Sequence, residues 1–168
     1  MTIHPADIRD LNTILDIYAY ARKQMRLSGN PDQWGNDRPA VSTIKEDILH
    51  KRAYVITHQH NICGVFVFII GPDPTYQIIE NGSWLNDKPY GTIHRIAGNG
   101  QIKGIFPAAL SFCEEKINNI RIDTHADNRI MQHLLEKYGF QKCGYIYVED
   151  GTQRIAYQKY CGNTKKSL

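Results

Sequence analysis

Cysteine is scarce in this chain and is nowhere paired at short spacing: Cys63, Cys113, Cys143 and Cys161 form no CxxC motif. Three of the four sit inside apolar patterns, the setting of buried reduced thiols and not of a zinc site, so no metal is expected. Long hydrophobic runs are missing too. The longest, Val65–Ile70, is strand length and far short of the roughly 18 residues that cross a bilayer. The first residues, MTIHPADIRD, have no basic segment leading into an apolar one, so no secretory signal is expected and a cytoplasmic location is. Neither sign of charge is in large excess, since 20 Lys and Arg against 17 Asp and Glu give a net charge of +3 with both signs interspersed. Lysine and arginine are not clustered beside exposed aromatics, so neither nucleic acid nor a membrane is an expected partner. Repeats and low-complexity tracts are absent.

What is present suits one folded unit. A chain of 168 residues with 42% hydrophobic and 22% charged content is long enough for one domain with a core and short for two. That domain is expected over residues 1–160, with a polar tail over 161–168. Thr2–Pro5 reads as a short first strand. Asp7 and Asp10 form an approximate capping box ahead of a helix that buries Ile8, Leu11, Leu15, Tyr18 and Met25 and runs to about Leu27. Ser28–Pro39 is rich in Gly, Pro, Asn and Asp and reads as a long loop, with Trp34 as an aromatic plug or a substrate contact. Thr43 and Glu46 form a capping box that opens a second helix to about Lys51. Ala53–Thr57 and Ile62–Ile70 read as an antiparallel hairpin around His58–Asn61. Gly71–Pro74 is a turn, and Thr75–Tyr90 is a mixed excursion bearing Trp84 and Tyr90. After Phe140 a second hairpin turns at Asp150-Gly151 and ends near Tyr160.

The stretch Gly91–Phe140 organises the rest. Gly91–Ala97 alternates as a strand, with Ile93, Arg95 and Ala97 on one side and Thr92, His94 and Ile96 on the other. Turn-rich residues Gly98–Gly104 interrupt it. A helix then begins near Ile105, with Pro107 in its first turn and an apolar stripe of Ile105, Phe106, Ala109, Phe112, Cys113 and Ile117. Ile120–Thr124 is a short strand, and a further helix spans about Asp127 to Tyr138. A loop with exposed amides at a helix N-terminus is an anion site suited to pyrophosphate. On that pattern alone a plain turn is the commoner reading.

The order of elements and two motifs resemble the GNAT superfamily of acyl-CoA-dependent N-acetyltransferases. The family's loop, Gln/Arg-x-x-Gly-x-Gly/Ala, falls on Gln101-Ile102-Lys103-Gly104-Ile105-Phe106. Its later and more specific signature, an Asn opening a helix that ends in Lys-x-Gly-Phe, falls on Asn128 and on Lys137-Tyr138-Gly139-Phe140. The resemblance implies a mixed α/β fold, a twisted sheet of six or seven strands flanked by about four helices. It also implies acetyl-CoA lying between Gly91–Ala97 and Ile120–Thr124, which splay apart. The thioester carbonyl is then expected at a backbone N–H near Ile96 or Ala97. The pyrophosphate is expected on the amides of Gln101, Ile102, Lys103, Gly104 and Ile105, and Asn128 by the pantetheine arm. The chain departs from the pattern at Phe106 and at Leu135, where many members carry a tyrosine that protonates the departing sulfur. Seven helical steps return Leu135 to within about 20° of Asn128, so it is expected to face the site.

Acetyl transfer to an amine needs a polarised carbonyl and a deprotonated nucleophile. Removing the proton from a lysine-like amine at pH 7 costs about 4–5 kcal/mol. His94 is the candidate base, at a position where some members of the resembled family place a catalytic histidine, against the alternative of a strand histidine that only hydrogen-bonds. His125 is a second candidate, for proton relay or acceptor contact, against a loop-start role. Arg95 and Asp123 are expected to form a structural ion pair. Asp32, Asp37, Glu46 and Asp87 are acids that attract a cationic amine or are simply solvated. The expected activity is transfer from acetyl-CoA to a primary amine of a small molecule or peptide. The alternative is a non-catalytic acyl-CoA-binding or regulatory protein on the same fold. A homodimer is left open, since C-terminal hairpins in such folds can pair between subunits.

Overall fold

A computed structural model describes residues 1–162; the rest of the tail expected from the sequence lies outside the described residues. Seven strands form one sheet in the order β1-β2-β3-β4-β5-β7-β6. They are β1 (Thr2–Pro5), β2 (Ala53–His58), β3 (Asn61–Ile70), β4 (Gly91–Gly98), β5 (Asn119–Thr124), β6 (Gln141–Tyr147) and β7 (Gln153–Tyr160). Every neighbouring pair is antiparallel except β4 and β5, the parallel pair joined through a helix. The helices are α1 (Leu11–Leu27), α2 (Val41–Leu49), α3 (Ile105–Glu114) and α4 (Arg129–Lys137). The mixed α/β fold expected from the sequence is therefore the one observed.

The two faces of the sheet are covered by different material. On one, Phe106, Ala109, Leu110 and Cys113 of α3 and Leu135 of α4 pack on Phe66, Phe68, Ile93, Ile120 and Tyr157. On the other, Ile14, Ile17 and Tyr18 of α1 and Ile44 and Ile48 of α2 pack on Val55, Val65, Val67 and Ala97. Alternation along β3 sends Phe66 and Phe68 one way and Val65 and Val67 the other, as a strand buried on both sides requires. The excursion after β3 covers Ile146 and Ala156 with Tyr76, Trp84 and Tyr90. Trp84 and Tyr90 also hold the Arg121 guanidinium between their rings, at 4.1 and 3.9 Å from the ring centroids.

Local details differ from the sequence reading. The Asp7–Asp10 capping box forms, but it opens a 3-10 turn over Ile8–Asp10 before α1 begins, and Ile8 is exposed. The buried stripe of α1 is centred on Ile14, Ile17 and Tyr18. The second helix starts at Val41 behind an extended Ala40, with no side-chain cap, so Thr43 and Glu46 lie inside the helix. α3 stops at Glu114, short of Ile117.

The largest difference lies in β4. Val67 pairs with His94 and Val65 with Ala97, so Phe66 alone faces both Arg95 and Ile96. Arg95 sits at φ +50°. This is a β-bulge, and the extra residue breaks the alternation. Ile93 and Ile96 both pack toward α3, whereas Ala97 packs with α1 and Arg95 reaches α2. The expected grouping of Ile93, Arg95 and Ala97 on one side therefore fails after Ile93.

Candidate active site

β4 and β5 pair only at Gly91–Ile120 and Thr92–Arg121. Beyond Thr92 the two strands separate, and backbone groups of β4 that point toward β5 meet no strand. A cavity of about 870 Å³ opens there, reached by His94, Arg95 and Ile96 from β4 and by Ile122, Asp123 and Thr124 from β5.

His94 is held in this opening by Asp73. Its Nε2 lies 2.9 Å from Asp73 Oδ2, and both side chains are largely buried. The other carboxylate oxygen of Asp73 accepts from the Thr75 N–H at 2.9 Å and the Thr75 hydroxyl at 2.7 Å. The Asp73 N–H in turn donates to the Tyr90 hydroxyl at 2.8 Å. Burial pushes the Asp73 carboxyl up, but hydrogen bonds from His94 and Thr75 and the nearby imidazole outweigh it, and its pKa falls to about 2. An ionised carboxylate only accepts, so Nε2 carries the hydrogen, and in the neutral ring Nδ1 then keeps the lone pair. A carboxylate–imidazole pair of this kind fixes tautomer and ring orientation and stabilises an imidazolium when one forms.

The lowered Asp73 pKa has a consequence for stability. A carboxyl whose folded-state pKa lies below its unfolded value adds stability that is fully present above the unfolded value, here 3.8, and is lost as pH falls toward 2. Urea unfolding at pH 3 and pH 5 is expected to show a steeper loss of stability on acidification for the wild type than for Asp73→Asn. Equal losses would remove the ionised Asp73 from the account.

The far wall of the cavity comes from the loop between α1 and α2. Trp34 packs edge-on against Tyr18, with centroids 5.5 Å apart, as an aromatic plug does, and also lines the cavity. Gln33 ties this loop to the rest. Its side-chain oxygen accepts from Asn128 Nδ2 at 2.9 Å, and its backbone carbonyl accepts from Arg154 at 3.2 Å. Asn128 is the N-cap of α4, its Oδ1 accepting from the Met131 N–H at 3.1 Å. Charges in the wall are mostly paired: Arg38 with Asp150 at 2.8 Å, and Arg154 with Asp123 at 3.9 Å. Asp123 also accepts from the buried Tyr76 hydroxyl at 2.7 Å. The expected Arg95–Asp123 pair is thus not formed, because the bulge sends Arg95 to Asp47 on α2, 2.9 Å away.

At the end of β4 the loop reaches α3 through Gly104, which takes φ +88°. Among the described residues, the N–H groups of Ile102, Lys103, Gly104, Ile105 and Phe106 meet no acceptor. Five unpaired amides at the start of a helix form a cradle with the chemistry of an oxyanion site. Phe106 does not obstruct it. Its side chain is buried against Tyr138 and Phe140.

An acetyltransferase of the GNAT family from Streptococcus agalactiae 2603 shares this architecture with a TM-score of 0.85, at 32% identity over 95% of each chain. The chain belongs to the GNAT family. A GNAT acetyltransferase from Listeria monocytogenes 4b F2365 aligns over 95% of this chain and 94% of its own, at 21% identity and a TM-score of 0.69. The NatC complex bound to Gag peptide and CoA contains a chain that aligns over 95% of this one and 98% of its own, at 14% identity and a TM-score of 0.55. These two likenesses speak for the fold alone. No protein-family model matches the chain, and no curated protein sequence does.

In this GNAT chain the residues expected at the site divide into three groups. His94, Ile96 and Asn128 meet at the cavity, and of the four acids considered for the acceptor only Glu46 lines it. Ile102, Lys103, Gly104 and Ile105 belong to the amide cradle at the end of β4, but the Gln101 N–H expected with them is taken by Asn99 Oδ1 at 3.0 Å, and the Ala97 side chain is buried against α1. His125 and Leu135 lie elsewhere. His125 Nδ1 accepts from the Asp127 N–H at 3.0 Å in the turn before α4, and the ring does not line the cavity. Leu135 is fully buried among the residues that join α3 and α4 to the sheet, and Met131, one turn earlier, lines the cavity in its stead. The helical-wheel argument fails because Asn128 is the N-cap of α4, at φ −82° and ψ 70°, and not a residue of the helix from which the steps were counted. Asp73, Asp47 and Gln33 were not marked by the sequence; Asp73 lay in a stretch legible only as a turn. Among the described residues no group of three or more His, Cys, Asp or Glu is placed to hold a metal, and no helix is long and apolar enough to cross a membrane.

Proposed function

We propose that this chain transfers the acetyl group of acetyl-CoA directly to a primary amine of a small molecule or peptide. The observation that carries the proposal is the placing of His94, held by Asp73, in the opening where β4 and β5 separate. The amide cradle at Ile102–Phe106 fits a pyrophosphate, with Lys103 supplying a positive charge. The CoA in the NatC neighbour accords with that fit. A non-catalytic acyl-CoA-binding role is not favoured, since the GNAT relative is an acetyltransferase.

The chemistry then assigns roles to residues of this chain. The ammonium loses one proton to solvent on entering, and His94 Nδ1 takes a second from the nitrogen as the neutral amine attacks, directly or through a water. The imidazolium so formed is stabilised by the Asp73 carboxylate. The amine nitrogen bonds to the carbonyl carbon, with the oxygen's developing charge met by a backbone N–H of the bulged strand near Ile96. Collapse breaks the carbon–sulfur bond, giving the amide and a thiolate. A thiol of pKa near 8.5 leaves at modest cost without a dedicated acid. The proton held on His94 passes to solvent or to the sulfur.

Steady-state release of thiol from acetyl-CoA in the presence of a panel of amines tests the activity. Turnover that depends on one class of amine supports it. Binding of acetyl-CoA without turnover on any amine would favour the non-catalytic reading. The cradle has a separate test. Gly100 takes φ +76°, and a Cβ there would stand 2.0 Å from the Tyr20 hydroxyl oxygen. Gly100→Ala is therefore expected to cost about 1 kcal/mol or more in stability and to weaken acetyl-CoA binding. Calorimetry showing unchanged affinity would place the cofactor away from this loop.

A further inference from the structure

Asp47, on α2, has no role in the chemistry above, yet it is tied to the strand that carries His94. It is 1% exposed. Arg95 Nε donates to its Oδ2 at 2.9 Å and Arg95 Nη2 to its Oδ1 at 3.0 Å. Arg52 Nε donates to the same Oδ1 at 2.7 Å. A carboxylate buried this deeply and gripped by two guanidinium groups is a fixed acceptor, and a two-point Arg–carboxylate contact fixes orientation as well as distance. Arg95 is the bulge residue at φ +50°, a conformation that persists for a non-glycine residue only where its surroundings impose it. Those surroundings are visible. Asp47 holds the Arg95 side chain, and the buried Tyr18 hydroxyl donates to the Arg95 carbonyl at 2.8 Å.

The bulge decides what faces the opening. In a regular strand His94 and Ile96 would project from one face and Arg95 from the other. Here His94, Arg95 and Ile96 all border the cavity, with Arg95 reaching on to α2 and Ile96 packing toward α3. The peptide between Arg95 and Ile96, whose N–H the proposed chemistry uses, is turned by the same distortion. We infer that Asp47 and Arg95 are positioning residues for acyl transfer, holding the β4 bulge so that His94 and the Ile96 amide stand correctly in the opening. The inference rests on the acetyl-transfer reading.

Three variants test it. Asp47→Asn keeps shape and removes charge, Arg95→Lys keeps charge and removes the two-point contact, and Tyr18→Phe releases the Arg95 carbonyl without touching a charge. Each is expected to bind acetyl-CoA with near wild-type affinity by calorimetry. For Asp47→Asn kcat is expected to fall by about 10²-fold, the cost of displacing reacting groups by roughly an ångström. The infrared carbonyl band of bound acetyl-CoA labelled with carbon-13 gives a readout that needs no acceptor. In the wild type the polarising N–H lowers its frequency, and in the variants it is expected to move back toward that of free acetyl-CoA. Variants that melt earlier but keep kcat and the band position would make the pair purely stabilising and overturn the inference. If Asp47→Asn does not fold, Tyr18→Phe and Arg95→Lys carry the same comparison. A wild type that binds acetyl-CoA but acetylates no amine leaves the band to decide. A wild type that does not bind acetyl-CoA removes the acetyl-transfer reading and the inference together.

Discussion

Replacing His94 with alanine is expected to lower kcat for amine acetylation by about 10²–10⁴-fold, the usual contribution of a positioned general base. At 1.36 kcal/mol per tenfold this is about 3–5 kcal/mol of barrier. Asp73→Asn keeps the base but loses the charge that orients it, since the carboxylate oxygen 2.9 Å from Nε2 is what fixes the tautomer. Its loss should be smaller than that of His94→Ala. A His94→Ala enzyme with wild-type kcat would leave His94 as a strand residue that only hydrogen-bonds.

Leu135 carries the second large effect, and it is one of stability. The side chain has no exposed surface and packs among Phe106, Leu110, Phe140 and other core residues. Truncation to alanine is expected to cost about 2–5 kcal/mol, the range for a buried leucine that leaves a cavity. Against a typical total of about 5–15 kcal/mol that is a large share. Leu135→Tyr tests the same placement from the other side. The larger ring should overpack the core and cost about 1–3 kcal/mol. At about 2–4 °C per kcal/mol for a chain of this size, melting should fall by roughly 2–12 °C. No gain in kcat is expected, because the hydroxyl would be directed among apolar side chains and away from the opening. Faster turnover in Leu135→Tyr would show that the position does face the reacting sulfur.

What the sequence revealed and what it hid have a common physical origin. Local signals survived. The Asn128 cap at α4 and the glycine turn into α3 depend on neighbours within a few residues. Apolar periodicity marked the stripe of α3 for the same reason. The bulge at Arg95 did not show, because it is a matter of register between β4 and β3, and a strand's own alternation carries no record of one extra residue opposite Phe66. From that one slip came the mistaken Arg95–Asp123 pair. Asp47 and Asp73 were equally hidden, since their partners lie 48 and 21 residues away and only the fold brings them together. His125 and Leu135 were drawn to the site by proximity in sequence to Asn128, and packing sent both elsewhere.

The most direct measurement of the central claim is a calorimetric titration of the chain with acetyl-CoA, paired with its thermal shift. One-to-one binding in the micromolar range is expected. At a hundred times Kd it should stabilise the fold by about 2.7 kcal/mol, or roughly 5–10 °C in Tm. No heat and no shift at millimolar acetyl-CoA would mean that the free amides of Ile102–Phe106 do not hold a pyrophosphate, and would contradict the assignment of this opening to acetyl transfer.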